Sequence, residues 1–195
     1  MLAKTITVYH GTSKQDAKSI LKEGFNRSKG DHHWLGDGVY FFTDKLCTEP
    51  EQNAKEWAIA EAWDKKQKAY RYDEGAVLKV ELQLDEYFLD FGTTDGLLYF
   101  KALKEAFISA FNEKNPNKNP FFRGEYLDGA IINFSRKENA RIRPYLNMIF
   151  GNVYIKNIAD RKSALNSRIP NSSIAVVYDL SKIISKSISL NFHTH

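Results

Sequence analysis

Apolar and polar residues alternate most regularly over positions 76–85, where Ala76, Leu78, Val80, Leu82 and Leu84 fall between Val77, Lys79, Glu81, Gln83 and Asp85. A period of two predicts a half-buried strand. Residues 6–9 read as a shorter strand that ends at His10-Gly11-Thr12, where the glycine frees the backbone to turn or to approach a ligand. The period then changes. Ser13 and Asp16 form a capping-box-like pair, Ala17, Ile20 and Leu21 supply an apolar stripe, and Gly24 stops the helix predicted over 13–23. Residues 26–34 are polar and irregular. Leu35-Gly36-Asp37-Gly38 is a turn, with Asp37 as a turn former, and 39–42 is an apolar strand.

A second capping pattern, Thr48 with Glu51 and Pro50 between them, predicts a helix reaching to about residue 68, with Trp57, Ala58 and Ala62 on its inner face. Another helix is expected over 97–111, and Asn115-Pro116-Asn117-Lys118-Asn119-Pro120 is a loop. Short strands are expected over 129–134, 153–155, 174–178 and 188–192. Helices with interleaved strands, followed by a strand-rich region, predict an α+β fold in one domain across residues 1–195.

Composition narrows the class. Hydrophobic residues make up 43% and charged residues 27% of the chain, values ordinary for a soluble globular protein. No apolar run approaches the roughly 18 residues of a membrane-spanning helix. The N-terminal residues lack the pattern of a secretory signal, so a cytoplasmic protein without membrane contact is expected. Cys47 is the only cysteine, which excludes an internal disulfide and any multi-cysteine metal site. His32-His33 and His193-x-His195 lack a third ligand at suitable spacing, and no metal is expected. The net charge of +4 is uneven: residues 136–186 hold ten Lys/Arg against three Asp/Glu, which suits either a solvated basic face or a phosphate-bearing partner.

Three common nucleotide and metal signatures are missing: a Gly-x-Gly-x-x-Gly turn, a phosphate-binding loop and a His-Glu-x-x-His helix. What remains is an ordered pair of segments, Tyr9-His10-Gly11-Thr12 and Leu35-Gly36-Asp37-Gly38-Val39-Tyr40-Phe41-Phe42, with an amphipathic helix between them. Together they resemble the first two signature elements, His-Gly-Ser/Thr and Gly-x-Gly-x-Tyr-Phe, of the ADP-ribosyltransferase superfamily, in its poly(ADP-ribose) polymerase-like branch. The resemblance implies a split, twisted antiparallel sheet with flanking helices, and NAD as co-substrate. It also implies that His10 bonds the adenosine-side ribose, that Gly11 clamps the nicotinamide carboxamide through its backbone, and that Thr12 and Gly38 complete the two elements. Tyr40 and a second aromatic at or near Trp57 would enclose the nicotinamide ring.

The chemistry suits those residue types. Breaking the nicotinamide–ribose bond releases a neutral pyridine and moves positive charge onto the sugar, so holding the ring and the ribose matters more than acid catalysis. Each aromatic stacking contact adds about 0.5–1.5 kcal/mol beyond area burial, enough to position a ring. The third family element departs. Where the resemblance implies a glutamate on a late strand, Ser172-Ser173-Ile174-Ala175-Val176-Val177-Tyr178-Asp179 offers Ile174, or Ser173 with a one-residue shift. This implies transfer of single ADP-ribose units to a protein or nucleic-acid acceptor, as in a bacterial toxin with a neutralising antitoxin. The rival reading is a non-catalytic module of the same fold that binds NAD, ADP-ribose or a partner. Glu125 and Asp128 are further candidates for the missing carboxylate.

Overall fold

The computed structural model of the 195-residue protein describes residues 4–29, 33–46, 48–116, 127–136 and 146–195. Cys47, His32, Glu125, residues 117–120 of the Asn/Pro loop and residues 137–145 of the basic stretch lie outside the described residues.

The fold is α+β, a mixed multi-stranded sheet with flanking helices. The long alternating segment becomes β5 (Glu74–Leu84), with Ala76, Leu78, Val80 and Leu82 all buried on one pleat face. It is central to one half of the sheet. On one side it pairs antiparallel with β1 (Lys4–Ser13) over ten registered positions, from Lys4↔Leu84 to Ser13↔Gly75. On its other side lies β9 (Ile183–His193). The other half contains β2 (Val39–Thr43), β8 (Ser172–Val177), β7 (Met148–Val153) and the short β6 (Phe88–Asp90), in the order β6-β7-β8-β2. All neighbours are antiparallel except β6 and β7. The halves meet at β1 and β2, where one pair is in register, Tyr9↔Phe42.

The first helix, α1 (Lys14–Glu23), follows its sequence signals closely. The Ser13 hydroxyl accepts from the Asp16 amide, and the chain leaves the helix at Gly24 with φ of 92°. The second, α2 (Pro50–Ala62), buries Ala54, Ala58 and Ala62 against the sheet but stops six residues short of the expected end. Instead β3 (Trp63–Asp64) and β4 (Ala69–Tyr70) close a two-stranded hairpin. Asp64 accepts from the amides of Lys66 and Gln67, Lys68 takes φ of 54°, and the Trp63 and Tyr70 rings meet 5.1 Å apart. Turn bonds and a cross-strand ring pair thus outweigh helix propensity there. Glu49, not Thr48, is the N-cap, and it makes no side-chain capping bond.

The predicted helix at 97–111 is the core of α3 (Thr94–Lys114), which starts earlier because Thr93 caps the Gly96 amide. The strand expected over 153–155 lies upstream, as β7. Residues 129–134, expected as a strand, belong to α4 (Asp128–Arg136). A short apolar run such as Ile131-Ile132 does not distinguish the two periods, and tertiary contacts decide here. Asn133 and Arg136, one helical turn apart, both reach the turn at Asp37: the Asp37 amide donates to Asn133 Oδ1 at 2.8 Å, and Arg136 Nη1 donates to the Asp37 carbonyl at 2.9 Å.

Gly11 has a packing role that the sequence does not reveal. A Cβ there would lie 1.9 Å from the Ala54 carbonyl oxygen and 3.0 Å from the Ala58 Cβ, so its missing side chain is what lets α2 lie on β1. Gly11→Ala is expected to push α2 away and lower stability by about 1–3 kcal/mol, read as a lower urea midpoint at unchanged slope.

Candidate functional site

Past the Tyr9↔Phe42 pair, β1 and β2 diverge, and a side chain takes over from the ladder. His10 Nδ1 lies 2.8 Å from the Tyr40 carbonyl oxygen. A carbonyl only accepts, so Nδ1 carries the proton, and in the neutral ring Nε2 keeps a lone pair for a ligand. The imidazole is held edge-on by Phe25 at 5.3 Å and Phe41 at 5.8 Å. Burial lowers its pKa, against smaller opposing effects from the Tyr40 carbonyl bond and the Asp16 charge.

A cleft of about 660 Å3 opens at this divergence. It is lined by His10, Gly11 and Thr12 from β1, Gly38 and Tyr40 from the second signature segment, Trp57 from α2 and Ile174 from β8. Seven residues singled out in the sequence thus share one cavity. Ser173 does not. Its neighbour Ile174 faces the α2 side of the sheet, whereas Ser173 is 1% exposed on the other pleat face and donates to Asn152 Oδ1 at 2.7 Å. Buried against Asn152, Ser173 is not among the lining residues, so the one-residue shift leads to a side chain outside the cleft.

Tyr40 contributes its ring to the cleft and its hydroxyl to the wall. The hydroxyl donates to the Gly36 carbonyl at 2.8 Å and accepts from the Leu35 amide at 3.0 Å, and burial pushes its pKa up to about 12. Tyr178 donates to the Leu35 carbonyl, and Ser28 donates to the Gly38 carbonyl. Gly36 takes φ of 77°, where a Cβ would be strained, and a Cβ on Gly38 would lie 2.6 Å from Val176 Cγ1. The turn expected around Asp37 is therefore a clamped wall, bonded to α4, to Tyr178 just past β8 and to the strand it precedes.

The sequence reading missed several lining residues. His33 and Trp34 line the cleft from the segment taken as irregular; His33 meets Tyr40 edge-on at 6.0 Å, and Trp34 meets Trp57 at 6.2 Å. A tryptophan beside a histidine in an otherwise polar segment was the available signal. Asp16, Glu23 and Glu61 add three carboxylates, and no lysine or arginine is among the described lining residues. Arg27 lies between two lining residues, Asn26 and Ser28. Asp128, a candidate replacement acid, lines a neighbouring cavity that shares His33 and Trp34 with the cleft.

No known family model matches the sequence. Over 83 residues the chain is 35% identical to an uncharacterized protein of Methanocaldococcus jannaschii, a match covering 42% of this chain and 34% of that protein. The chain spans about a third of that relative's length. Among the described residues no helix is long and apolar enough to cross a membrane.

The lowered pKa of His10 ties stability to acidity. The unfolded chain binds a proton near the ordinary pKa of 6.5 and the folded chain only below it, so His10 opposes folding as pH falls through 6.5. Between pH 7 and 5 the urea midpoint is expected to fall. His10→Gln, which keeps a donor for the Tyr40 carbonyl, is expected to flatten that slope.

Proposed function

We propose that the protein is a mono-ADP-ribosyltransferase that takes NAD into this cleft and transfers one ADP-ribose unit to an acceptor. The convergence of His10, Gly11, Thr12, Gly38, Tyr40 and Trp57 on one cavity carries the reading. It brings together the residues of two separate sequence segments that share a chemical rationale. The finer topology implied by the resemblance, a split and twisted antiparallel sheet, belongs to this proposal; the single registered pair between β1 and β2 supports it.

NAD supplies an activated sugar whose leaving group departs uncharged. The chain's own residues do the positioning. His10 Nε2 accepts a hydrogen bond from a ribose hydroxyl. The Gly11 backbone bonds the carboxamide, and the faces of Tyr40 and Trp57 hold the ring. Ile174 makes the β8 wall apolar, which excludes water and supplies no carboxylate for chain elongation, in keeping with single-unit transfer.

Labelled NAD incubated with the protein and a cell lysate is expected to mark a macromolecule. His10→Ala and Tyr40→Ala should each reduce labelling at least ~100-fold; labelling that survives both changes sinks the assignment. Tyr40→Phe keeps the ring but leaves the Leu35 amide and Gly36 carbonyl without their partner, so it should retain more activity than Tyr40→Ala while losing about 1–3 kcal/mol of stability.

The three carboxylates also set a cofactor preference. A phosphate on the ribose hydroxyl beside His10 adds close to two negative charges near Asp16, whose charge His10 already senses. NADP is expected to bind at least ~10-fold more weakly than NAD, with the gap narrowing as salt screens the repulsion. Equal affinity in calorimetry would refute this.

One observation favours a second reading, a binding module without turnover: Ile174 stands where the resemblance implies a glutamate. Heat on NAD addition without release of free nicotinamide would select it.

A further inference from the structure

Next to the cleft, a second cavity of about 810 Å3 uses the same His33 and Trp34 as part of its lining. Trp34, Phe91 and Leu97 make most of it apolar, and Leu97 and Trp34 are 58% and 47% exposed, so their surfaces stay available to a partner. Asp128 is the only carboxylate among its described lining residues, and no lysine or arginine is among them. Its place is fixed by α4. The next residue, Gly129, packs so closely that a Cβ would lie 1.8 Å from the His33 carbonyl oxygen, which sets Asp128 beside the wall the two cavities share.

We propose that this cavity receives the acceptor, and that the acceptor is the guanidinium group of an arginine side chain. The inference rests on the reading of the first cleft as an NAD site. Aromatic surface with a single carboxylate is the lining a planar cation selects: the guanidinium stacks on indole or phenyl faces and gives two parallel N–H bonds to the carboxylate. The phosphates of a nucleic-acid acceptor would meet the Asp128 carboxylate, the only Asp, Glu, Lys or Arg among the described lining residues. The exposed Arg161, Lys162 and Arg168 are not among its lining residues. In the transfer, a guanidinium nitrogen forms a bond to the ribose anomeric carbon as the bond from that carbon to the nicotinamide nitrogen breaks. The bonding pair leaves with nicotinamide, and one N–H proton passes to Asp128 and on to water. The product remains a substituted guanidinium.

The test offers labelled NAD with three acceptors: an arginine-containing peptide, the same peptide with lysine in its place, and a single-stranded oligonucleotide. Calorimetry measures NAD binding separately. Label on the arginine peptide is expected, with Asp128→Asn raising the KM for that peptide tenfold or more and Asp128→Glu restoring part of the loss. Label confined to the lysine peptide or the oligonucleotide overturns the proposal. So does arginine labelling that Asp128→Asn leaves unchanged, or NAD binding with none of the three acceptors marked. A wild-type protein that does not bind NAD removes the reading of the first cleft, and this inference falls with it.

Discussion

The bond from His10 to the Tyr40 carbonyl is the constraint around which the cleft is arranged. Two half-sheets, each well paired internally, touch through one registered pair, and the next link between them is an imidazole. Had the ladder continued, main-chain groups of β1 and β2 would have been consumed in pairing and the gap closed. With the ring inserted, the strands part and their ends become cavity wall. The same bond sets the tautomer, so the geometry that opens the cleft also decides which nitrogen a ligand meets.

A ring used this way has to be held from its sides. Phe25 and Phe41, themselves 5.2 Å apart, pack edge-on against it, and burial of the imidazole favours its neutral form. The far wall is held as firmly. Tyr40, Tyr178, Asn133 and Arg136 each bond backbone of the 35–37 turn, and Arg136 also lies over the Tyr178 ring at 4.0 Å. Walls fixed in this way suit the proposed role of holding a leaving group still.

Much of the cleft's composition was legible because its residues carry strong local signals. Ser13 before Asp16, Gly24 after the helix, and an aromatic strand following a Gly-rich turn are all short-range features, and the structure keeps them. What was not legible depends on distant partners. The helix at 128–136 is selected by its bonds to Asp37, about a hundred residues earlier, and the end of α2 by a hairpin whose ring pair spans seven residues. The glycines of the two motifs show the same division. Gly11 and Gly38 were readable as special positions, but the backbone of α2 and the side chain of Val176 that require them come from other elements.

The carboxylate problem is also one of elements. An acid on the β8 wall would face the apolar surroundings of Ile174, which is 3% exposed, and burying a charge there is costly without a partner. The acids that the structure does bring to the region sit on helices instead: Asp16 and Glu23 on α1, Glu61 on α2 and Asp128 on α4. Those positions border solvent and need no compensating cation. Moving the negative charge from the sheet to the helical rim leaves the floor apolar and makes the approaches to it attractive to cations. In the proposed transferase, such a site holds the leaving group by shape and selects the second substrate by charge, two requirements that a single buried glutamate would have had to meet together.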